Sequence, residues 1–417
     1  MSRVLLLLPT ATYRASDFVA AAQRLGAEVV VASERRQAMA DAMDDRAVVV
    51  PLADPDAGVA AIVALHRRSP VDAVVAVDDQ GVVVAARAAA ELGLVHNPVG
   101  AVTATRDKAL MRTALAANAV PQPRFAVAAT VDDVPGAAGA VGMPCVVKPT
   151  GLSAGRGVIR ADDVAAAVAA ARRILAMADG PFLLEEYVPG TEVAVEALVR
   201  DGVLEILAVF DKPDPLVGPY FEETIYVTPS RLDPARLARV ETVTTDAVAA
   251  LGLREGPVHA ELRLDDERDD VVRVIEVAAR TIGGLCARTL RFGAGIALEE
   301  LVLRHALRLP TEGLARERAA SGVMMLPIPR AGVLARVRGQ DAARAVPGIV
   351  GLELTVNPGR PVRPLPEGDR YLGFLFARAD TPAQVEDALR RAHAALDVAI
   401  TDSPPGAAPE GAPGCGP

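Results

Sequence analysis

Short apolar runs alternate with alanine-rich segments along the first hundred residues. The runs contain many β-branched residues, and the segments between them place apolar residues at helical spacing. The candidate strands are RVLLLLP, AEVVVAS, AVVVPL and DAVVAVDD. The candidate helices are Asp17–Leu25, Asp56–Arg68 and Gly81–Leu92. This alternation of strands and helices predicts a parallel sheet covered by helices.

The pattern changes near Thr103. TRDKALMRTALAAN is predicted as one helix that carries Arg106, Lys108 and Arg112, with Lys108 and Arg112 on one face. MPCVVKPT is a candidate strand, 161–178 a candidate helix, and PFLLEEYVPG another strand. EVAVEALVR and VLEILAVF flank Asp201-Gly202, a favoured hairpin turn. We therefore expect an antiparallel sheet here and a domain boundary near residue 100.

The C-terminal part shows three further strand patterns and one helix. The strands are GVMMLPIP, GIVGLELTV and RYLGFLFARA, and the helix lies near 381–395. These elements predict a small α/β domain beside an active cleft. The tail TDSPPGAAPEGAPGCGP is rich in Pro and Gly and is expected to be disordered.

The segment PVHAELRLDDERDDVVRVIEVAAR is predicted as a hairpin with one apolar and one polar face. His259, Glu261 and Arg263 alternate with apolar residues on the first strand. On the return strand, the residues predicted to share a face are Val272, Val274, Glu276, Ala278 and Arg280. A symmetric hairpin about the acidic loop 265–270, centred between Arg268 and Asp269, places Glu261 opposite Glu276.

Two carboxylates that face each other across a strand pair repel, so a cation is expected between them. Magnesium is the economical candidate, because it binds carboxylate oxygens and commonly bridges them to substrate phosphates. The alternative is that Glu261 and Glu276 each pair with a surface arginine.

A glycine-rich, cationic loop, KPTGLSAGRGV, directly follows the strand PCVV. It fits neither the P-loop pattern nor the dinucleotide pattern, because Arg156 and Arg160 occupy positions where those patterns require Gly. Phosphate binding and an ordinary flexible turn both remain open. Asp78-Asp79, at a strand's carboxyl end, either contacts a ligand or caps the next helix.

Composition excludes several classes. The net charge of −9 argues against nonspecific nucleic-acid binding. Hydrophobic residues make up 51%, yet no uncharged apolar run approaches the roughly 18 residues of a membrane span. The three cysteines, Cys145, Cys286 and Cys415, lie too far apart for a disulfide framework or a zinc motif. We expect a soluble, cytoplasmic protein without membrane or nucleic-acid partners.

The order of these motifs resembles the ATP-grasp superfamily. The motifs are the cationic helix, the Lys148 strand with its glycine-rich loop, LLEEYV, and the paired strand glutamates followed by Arg280. Within it, the pattern resembles the L-amino acid ligase (dipeptide synthetase) branch of carboxylate–amine ligases. The resemblance implies α/β and α+β domains in an ATP-grasp fold. The implied domains are a pre-grasp domain 1–102, a small lobe 103–183, a large lobe 184–310, a C-terminal domain 311–400 and a tail 401–417.

The resemblance also implies the roles of individual residues toward ATP and magnesium, with manganese as an alternative metal. The implied ATP contacts are Lys108, Lys148, Ser153, Ala154, Gly155, Glu185, Glu186, Tyr187, Val188 and Glu192. Glu185 to Val188 match the hinge that reads adenine, and Glu192 matches an acidic residue near the ribose. Glu261 and Glu276 match the metal pair. The implied substrate contacts are Glu223, His259, Arg280, Thr281, Ile282 and Gly283, with Arg280 also stabilising the acyl phosphate.

Alternatives remain at this point. Glu185 and Glu192 could instead be solvated strand-end charges. The loop 212–230 either contacts the nucleotide or the amine substrate through Lys212, Glu222 and Glu223, or only covers a sheet edge. Ala278-Ala279 replace the Asn-Pro of biotin-dependent carboxylases, which makes bicarbonate chemistry doubtful. The expected activity is ATP-dependent ligation of a small carboxylate to an amine. A formyl- or carboxyl-transferring enzyme and a non-catalytic ATP-binding module are the alternatives, and a homodimer stays open.

Overall fold

In the computed structural model, the chain is described over residues 2–37, 40–265 and 271–402. Its first part is a parallel sheet of order β3-β2-β1-β4. The strands are β1 (Arg3–Leu7), β2 (Glu28–Ser33), β3 (Ala47–Val49) and β4 (Ala73–Ala76). The helices are α1 (Ala15–Arg24), α2 (Ala40–Met43), α3 (Pro55–Arg68) and α4 (Val82–Leu92). Apolar clusters cover both faces of this sheet, which confirms the predicted layered arrangement.

The predicted cationic helix is two helices, which corrects the single helix expected from the sequence. The pair is α5 (Val99–Arg106) and α6 (Lys108–Ala117). Asp107 has an extended backbone between them, and its carboxylate accepts hydrogen bonds from the N–H groups of Ala109 and Leu110. Asp107 is therefore the N-cap of α6, and Lys108 is its first helical residue.

A second, antiparallel sheet of order β5-β8-β6-β7 forms the small lobe. Its strands are β5 (Phe125–Ala128), β6 (Cys145–Pro149), β7 (Ile159–Ala161) and β8 (Phe182–Glu186). The helices α7 (Val134–Val141) and α8 (Val164–Leu175) cover it and share one apolar cluster with it. The glycine-rich loop connects β6 to β7.

The largest sheet has eight strands in the order β13-β12-β9-β10-β11-β16-β20-β18. The first five in the chain are β9 (Thr191–Arg200), β10 (Val203–Asp211), β11 (Ile225–Thr228), β12 (Gly256–Asp265) and β13 (Val271–Ala278). Helix α9 (Pro234–Leu251) packs on β9, β12 and β13. Asp201 and Gly202 both have positive φ, as the predicted two-residue turn requires.

The remaining elements complete this sheet and add a small one of order β19-β17-β21. Two short strands, β14 (Arg291–Phe292) and β15 (Ile296–Ala297), precede α10 (Leu298–Ala306). The later strands are β16 (Ala320–Leu326), β17 (Gly332–Arg338), β18 (Ile349–Leu354), β19 (Pro361–Val362), β20 (Gly373–Ala379) and β21 (Asp397–Thr401). The last helices are α11 (Gln340–Arg344) and α12 (Pro382–Ala394). β16, β18 and β20 therefore extend the large sheet across the expected boundary at residue 310, and the boundaries themselves stay predictions.

Some expectations fall on residues outside the described ranges. The turn centre near Arg268 and Asp269 and most of the acidic loop lie there, as does the segment 403–417 with Cys415. Cys145 and Cys286 are buried free thiols. Over the described residues, no helix combines the length and the apolar character that crossing a bilayer requires.

Candidate active site

A cavity of about 600 Å³ lies where the parallel sheet, the small lobe and the large sheet meet. With the exception of Thr281, every site residue expected from the sequence lines this cavity. Thr281 is 2% exposed and accepts a hydrogen bond from the Arg280 side chain through its carbonyl oxygen. The predicted site residues therefore converge in space, although their roles toward ligands remain predictions.

The hairpin carries the two facing glutamates, as expected. Glu261 on β12 pairs in register with Glu276 on β13, and His259 and Arg263 also face the cavity. The apolar residues of β12, Val258, Ala260, Leu262 and Leu264, belong to the core beneath. The alternation seen in the sequence thus correctly separates the two faces of β12.

The predicted face of β13 is wrong in part, because the strand contains a bulge. Leu262 pairs with Val274 and Glu261 with Glu276, so Ile275 is an extra residue between them. Val274 and Val277 point into the core, whereas Glu276 lines the cavity. A bulge shifts the period-two pattern by one residue, which moves Glu276 to the opposite face from Val274.

Arg112 on α6 stabilises this bulge by hydrogen bonds to its backbone. Its guanidinium, which is fully buried, donates to the carbonyl oxygens of Val274 (2.9 Å) and Ile275 (2.7 Å). It also donates to both carboxylate oxygens of Glu185, at 2.8 and 3.0 Å. Lys108 and Arg112 are both buried on α6, which agrees with the predicted shared face.

The two lysines expected to touch phosphates are buried beside carboxylates. Lys148 Nζ lies 2.7 Å from Glu185, and Lys108 Nζ lies 3.6 Å from Glu276 and donates to the carbonyl oxygen of Leu152 at 2.7 Å. Burial lowers the pKa of Lys148 to about 8, although Glu185 opposes this change. Burial alone would raise the pKa of Glu185, but Arg112 and Lys148 outweigh it and hold that pKa at about 2. Glu185 is therefore a buried ion-pair partner rather than a solvated strand-end charge.

Glu192 is also buried, which rules out its alternative as a solvated charge. Its carboxylate lies between Lys212 and Arg263, 2.6 Å from a nitrogen of each. Lys212 also contacts Glu223 at 2.6 Å and Glu261 at 3.2 Å. The loop 212–230 thus contributes to the cavity. Its Lys212 stands among three carboxylates, Glu192, Glu223 and Glu261, whose oxygens lie within 4.8 Å of one another.

Burial and neighbouring charges shift the pKa values of Glu223 and His259 in this network. Burial raises the pKa of Glu223 to about 7, Glu261 adds to that rise, and Lys212 opposes it. Burial would lower the pKa of His259, but hydrogen bonds to Glu196 and Glu261 raise it to about 9. Glu196, which the sequence reasoning missed, lies 2.5 Å from His259 Nδ1. Its position on β9, next to β12 and at a polar position in an apolar strand, was the available signal.

Arg280 lies just after β13, not on the strand as predicted. Its guanidinium contacts Asp79 at 3.0 Å, and Arg106 also contacts Asp79, at 3.3 Å. Asp78 forms no side-chain capping bond, so the pair Asp78-Asp79 lines the cavity instead of capping the next helix. Asp265, the residue of the acidic loop that the structure describes, contacts Arg273 at 3.4 Å.

The donor chemistry of the facing carboxylates is that of a magnesium site. Glu261 and Glu276 face the cavity from adjacent strands, and their described cationic partners are buried: Lys212 and His259 beside Glu261, and Lys108 beside Glu276, rather than surface arginines. Carboxylate oxygens are ligands that magnesium accepts, so Glu261 and Glu276, with Lys108 beside Glu276, fit a magnesium site. The oxygens around Lys212 already surround an ammonium group.

Other cavity residues were not identified from the sequence. Tyr13 comes from the parallel-sheet domain, and Asp369, Arg370 and Tyr371 come from the C-terminal part. Phe221 is another, and its ring centroid lies 6.4 Å from that of the expected Tyr187. These side chains come from distant parts of the chain, and no local pattern connects them.

Three family models match the chain in order. They are an ATP-grasp N-terminal domain over residues 19–96, an ATP-grasp domain over 141–289 and an L-amino acid ligase C-terminal domain over 324–401. A crystal structure of L-amino acid ligase from Bacillus licheniformis has a TM-score of 0.81 and 25% identity, and covers 96% of this chain and 99% of that one.

Curated relatives show the same superfamily with different reactions in their names. An alanine–anticapsin ligase of Bacillus subtilis is 27% identical over 58% of this chain and 55% of its own length. A formate-dependent phosphoribosylglycinamide formyltransferase of Paraburkholderia xenovorans is 29% identical over 91% of this chain and 92% of its own length. The chain spans 50–61% of the length of four of the curated relatives it matches. From its matched domains and its fold, the chain belongs to the ATP-grasp superfamily and is similar to the L-amino acid ligase branch.

Proposed function

We propose that this protein is an ATP-dependent ligase that joins a small carboxylate, such as an amino acid, to an amine through an acyl phosphate. The observation that carries the proposal is the convergence of Lys108, Lys148, the facing pair Glu261 and Glu276, and Arg280 in one cavity. The C-terminal match over 324–401 and the likeness to a solved L-amino acid ligase support the same reaction class.

The two lysines suit the triphosphate. Both are buried at the cavity wall and each has one nearby carboxylate, so each can exchange part of that interaction for a phosphate oxygen. The glycine-rich loop lies over the same region, with Ser153, Ala154 and Gly155 in the wall. Successive N–H groups in a loop with positive φ form a concave anion site.

Glu261 and Glu276 would hold magnesium, which when bound offsets the negative charge of the phosphates. Manganese, which also accepts oxygen ligands, is the alternative metal. His259, held by Glu196, keeps Glu261 in place on the cavity side of β12.

Arg280 suits the substrate carboxylate. Its planar guanidinium can bind both carboxylate oxygens and orient one of them toward the terminal phosphate. Asp79, which contacts Arg280 at 3.0 Å, fixes that orientation from the parallel-sheet domain. The carboxylate oxygen attacks the terminal phosphorus, ADP leaves, and the amine then displaces phosphate from the acyl carbon.

Glu223 suits the amine or the ammonium group of the first substrate. It lines the cavity beside Glu261, and its raised pKa of about 7 allows it to accept a proton near neutral pH. Ile282 and Gly283, beside Arg280, would form the adjoining wall. A cytoplasmic location and a homodimer remain predictions.

A screen of paired L-amino acids with ATP and magnesium tests the proposal. We expect ADP release that requires both substrates, together with a product whose mass equals the two amino acids minus water. ADP release without any condensed product would show only ATP hydrolysis and contradict ligation, whereas binding of ATP without turnover would favour a non-catalytic module.

Formyl transfer is the second candidate, because the formyltransferase relative covers 91% of this chain. The same screen includes formate with a ribonucleotide amine as the acceptor. Formylated product in the absence of amino-acid coupling would replace ligation as the proposed function.

A further inference from the structure

Arg14 is a buried arginine that the proposed reaction does not use. It precedes α1, is 1% exposed, and its guanidinium carbon lies 5.1 Å from the ring centroid of Phe18. Its Nη2 donates to the carboxylate of Glu299 on α10 at 3.4 Å. Tyr13, the residue before it, lines the cavity, whereas the Arg14 side chain contacts Phe18 in the apolar core. Arg14 is therefore placed to act on the site only through other residues.

One nitrogen of Arg14 joins two backbone segments that come from different sheets. Its Nη1 donates to the carbonyl oxygen of Val77 and to that of Ile282, at 3.2 Å each. Val77 follows β4 of the parallel sheet, and Ile282 follows β13 of the large sheet. Both residues are buried, so water does not replace these hydrogen bonds. Arg14 thus holds the two segments at a fixed separation.

The two carbonyl oxygens flank the ion pair between Asp79 and Arg280. Asp79 lies two residues after Val77, and Arg280 lies two residues before Ile282. Nη2 of Arg280 donates to one carboxylate oxygen of Asp79, and its Nε lies beside the other oxygen, at 3.0 Å in each case. A shift of either segment would therefore change this two-point contact.

The Asp79 contact leaves part of the Arg280 guanidinium open to a ligand. Asp79 accepts a hydrogen bond from Nη2, and the carbonyl oxygen of Thr281 accepts one from Nη1 at 2.9 Å. Because each terminal nitrogen of a guanidinium carries two hydrogens, one further hydrogen remains on each. Two such hydrogens suit the two oxygens of a carboxylate, and Asp79 sets the direction in which they point.

The contacts of Arg14 are a costly way to hold the fold. Its guanidinium is out of water and has one carboxylate partner, Glu299, at 3.4 Å. Its Nε is buried and finds no acceptor among the residues that the structure describes. Packed apolar residues often replace a buried ion pair without loss of stability. The arginine is therefore better explained by the geometry that it imposes on Val77 and Ile282 than by stability.

We propose that Arg14 is a positioning residue for the substrate carboxylate. It sets the contact between Asp79 and Arg280 and, through that contact, the direction of the free Arg280 hydrogens. This inference rests on the proposed function. Arg14 touches neither the nucleotide nor the substrate in this scheme, so its replacement should impair use of the amino acid and leave ATP binding unchanged.

A second ion pair between the same two helices supplies the control. Arg24 on α1 contacts Glu300 on α10, with Nε 2.9 Å from the carboxylate, just as Arg14 contacts Glu299. A role for Arg14 limited to joining α1 to α10 would be shared by Arg24. The control variant is Arg24→Met.

The first test compares Arg14→Lys, Arg14→Met and Arg24→Met with the wild type. Hydroxamate yield is measured against amino-acid concentration at saturating ATP and magnesium, and calorimetry gives the affinity for ATP. Arg14→Met is expected to raise the amino-acid KM or lower the yield roughly ten- to a hundredfold, the effect of a misplaced reacting group, with ATP affinity equal to that of the control. Arg14→Lys should recover part of the loss, because one ammonium group can still donate to these carbonyl oxygens.

The second test asks whether Arg14 acts through Asp79. Arg14→Lys is combined with Asp79→Ala, and the two single variants complete the cycle. If Arg14 works only by setting the Asp79 contact, the double variant should be no worse than Asp79→Ala alone. Losses that multiply would overturn the proposal, and so would equal falls in ATP affinity and hydroxamate yield, or an unchanged amino-acid KM and yield in Arg14→Lys.

Thermal unfolding identifies any variant that fails to fold, and Arg14→Lys serves if Arg14→Met does. A wild-type protein that yields no hydroxamate with any amino acid contradicts the ligase. Hydrogen exchange then tests Arg14 without turnover. The backbone amides of 77–81 and 280–284 should exchange faster in Arg14→Lys than in Arg24→Met, and equal exchange in both segments would overturn the role given to Arg14.

Discussion

At the scale of single residues, the site consists of buried cationic and anionic side chains in contact with one another. Lys148, Glu185 and Arg112 form one group, while Lys212, Glu192, Glu223 and Glu261 form another. Each charge inside such a group influences the ionisation of its neighbours, because the interior screens charges weakly. Substitutions here should change ligand binding and pH dependence more than they change the fold.

Lys148→Ala is expected to weaken ATP binding about tenfold or more, since one charge-assisted contact is lost. The fold should survive, because Glu185 keeps two hydrogen bonds from Arg112. The pKa of Lys148 is lowered to about 8, so in the wild type the charged form is lost as pH rises past 8. Calorimetry should therefore show weaker ATP binding from pH 7 to 9 in the wild type and a flatter profile in the variant. Equal ATP affinity of the two proteins at pH 7 would contradict the assignment.

Glu276→Gln is expected to abolish magnesium-dependent turnover, because it keeps the side chain's size and removes one carboxylate of the facing pair. The thermal midpoint should stay the same or rise slightly. The substitution removes the repulsion between Glu261 and Glu276, but Lys108 loses a charged partner at 3.6 Å. ADP release and differential scanning fluorimetry measure the two quantities. Full activity would show that the facing carboxylates do not hold the metal, and unfolding would contradict the expected thermal midpoint.

Arg280→Lys is expected to retain ATP binding and to lose acyl-phosphate formation by orders of magnitude. Lysine keeps the charge beside Asp79 but not the two-point grip on a carboxylate. Hydroxylamine trapping gives the yield of acyl phosphate directly. Asp56→Asn, on the far surface beside Arg87, is the matched control for a lost ion pair. The same hydroxamate yield from Arg280→Lys and wild type would remove Arg280 from the substrate site.

At the scale of elements, the bulge in β13 decides which side chains reach the cavity. Because Ile275 is an extra residue, Glu276 lies on the same side of the strand pair as Glu261. Arg112 on α6 donates hydrogen bonds to the carbonyl oxygens of Val274 and Ile275 at the bulge. The guanidinium of Arg112 thereby connects helix α6, the bulge in β13 and Glu185 on strand β8. This connection explains why a fully buried arginine lies in the small helix α6.

Arg112→Met should lower the free energy of unfolding by about 3 kcal/mol or more, because it leaves part of a buried ion pair and two carbonyl oxygens without donors. Urea denaturation measures the change. Arg124→Ala is the control, since Arg124 pairs with Glu186 from a side chain that is 63% exposed, and such pairs contribute less than about 1 kcal/mol. Losses of the same size in both variants would contradict the structural role given to Arg112.

At the scale of the whole molecule, the large sheet joins strands from both sides of the predicted boundary at residue 310. β16 pairs with β11, and β20 pairs with β16. Val323, Met325 and Phe374 share one apolar cluster with residues of the parallel sheet and of α1. The C-terminal part is thus both a wall of the cavity and part of the core.

A chain cut after Arg318 should therefore aggregate, because β11 would become an open edge and the apolar cluster would lose a side. A chain cut after Asp402 retains every described strand and is the control. Size-exclusion chromatography and circular dichroism distinguish the outcomes. A monomeric, folded product from the shorter chain would show that the C-terminal part is an independent domain.

The sequence alone determined the local features of this protein. Strict alternation in β12 identified its cavity face, and Asp201-Gly202 identified a hairpin turn. The pairing of Glu261 with Glu276 was also predicted correctly, although the structure reaches it through the bulge at Ile275 and not through a symmetric hairpin. The order of motifs indicated the superfamily. Such features depend on residues near one another in the chain, where the periods of strands and helices act directly.

Only the tertiary structure decided the long-range pairings. Arg280 contacts Asp79, two hundred residues away, and Arg112 joins Glu185 to the bulge in β13. A one-residue bulge reverses the face of every residue beyond it, so Glu276 and Val274 could not be separated by periodicity. Which carboxylate lies beside each cavity cation depends on the distances that folding sets, and no local pattern records those distances.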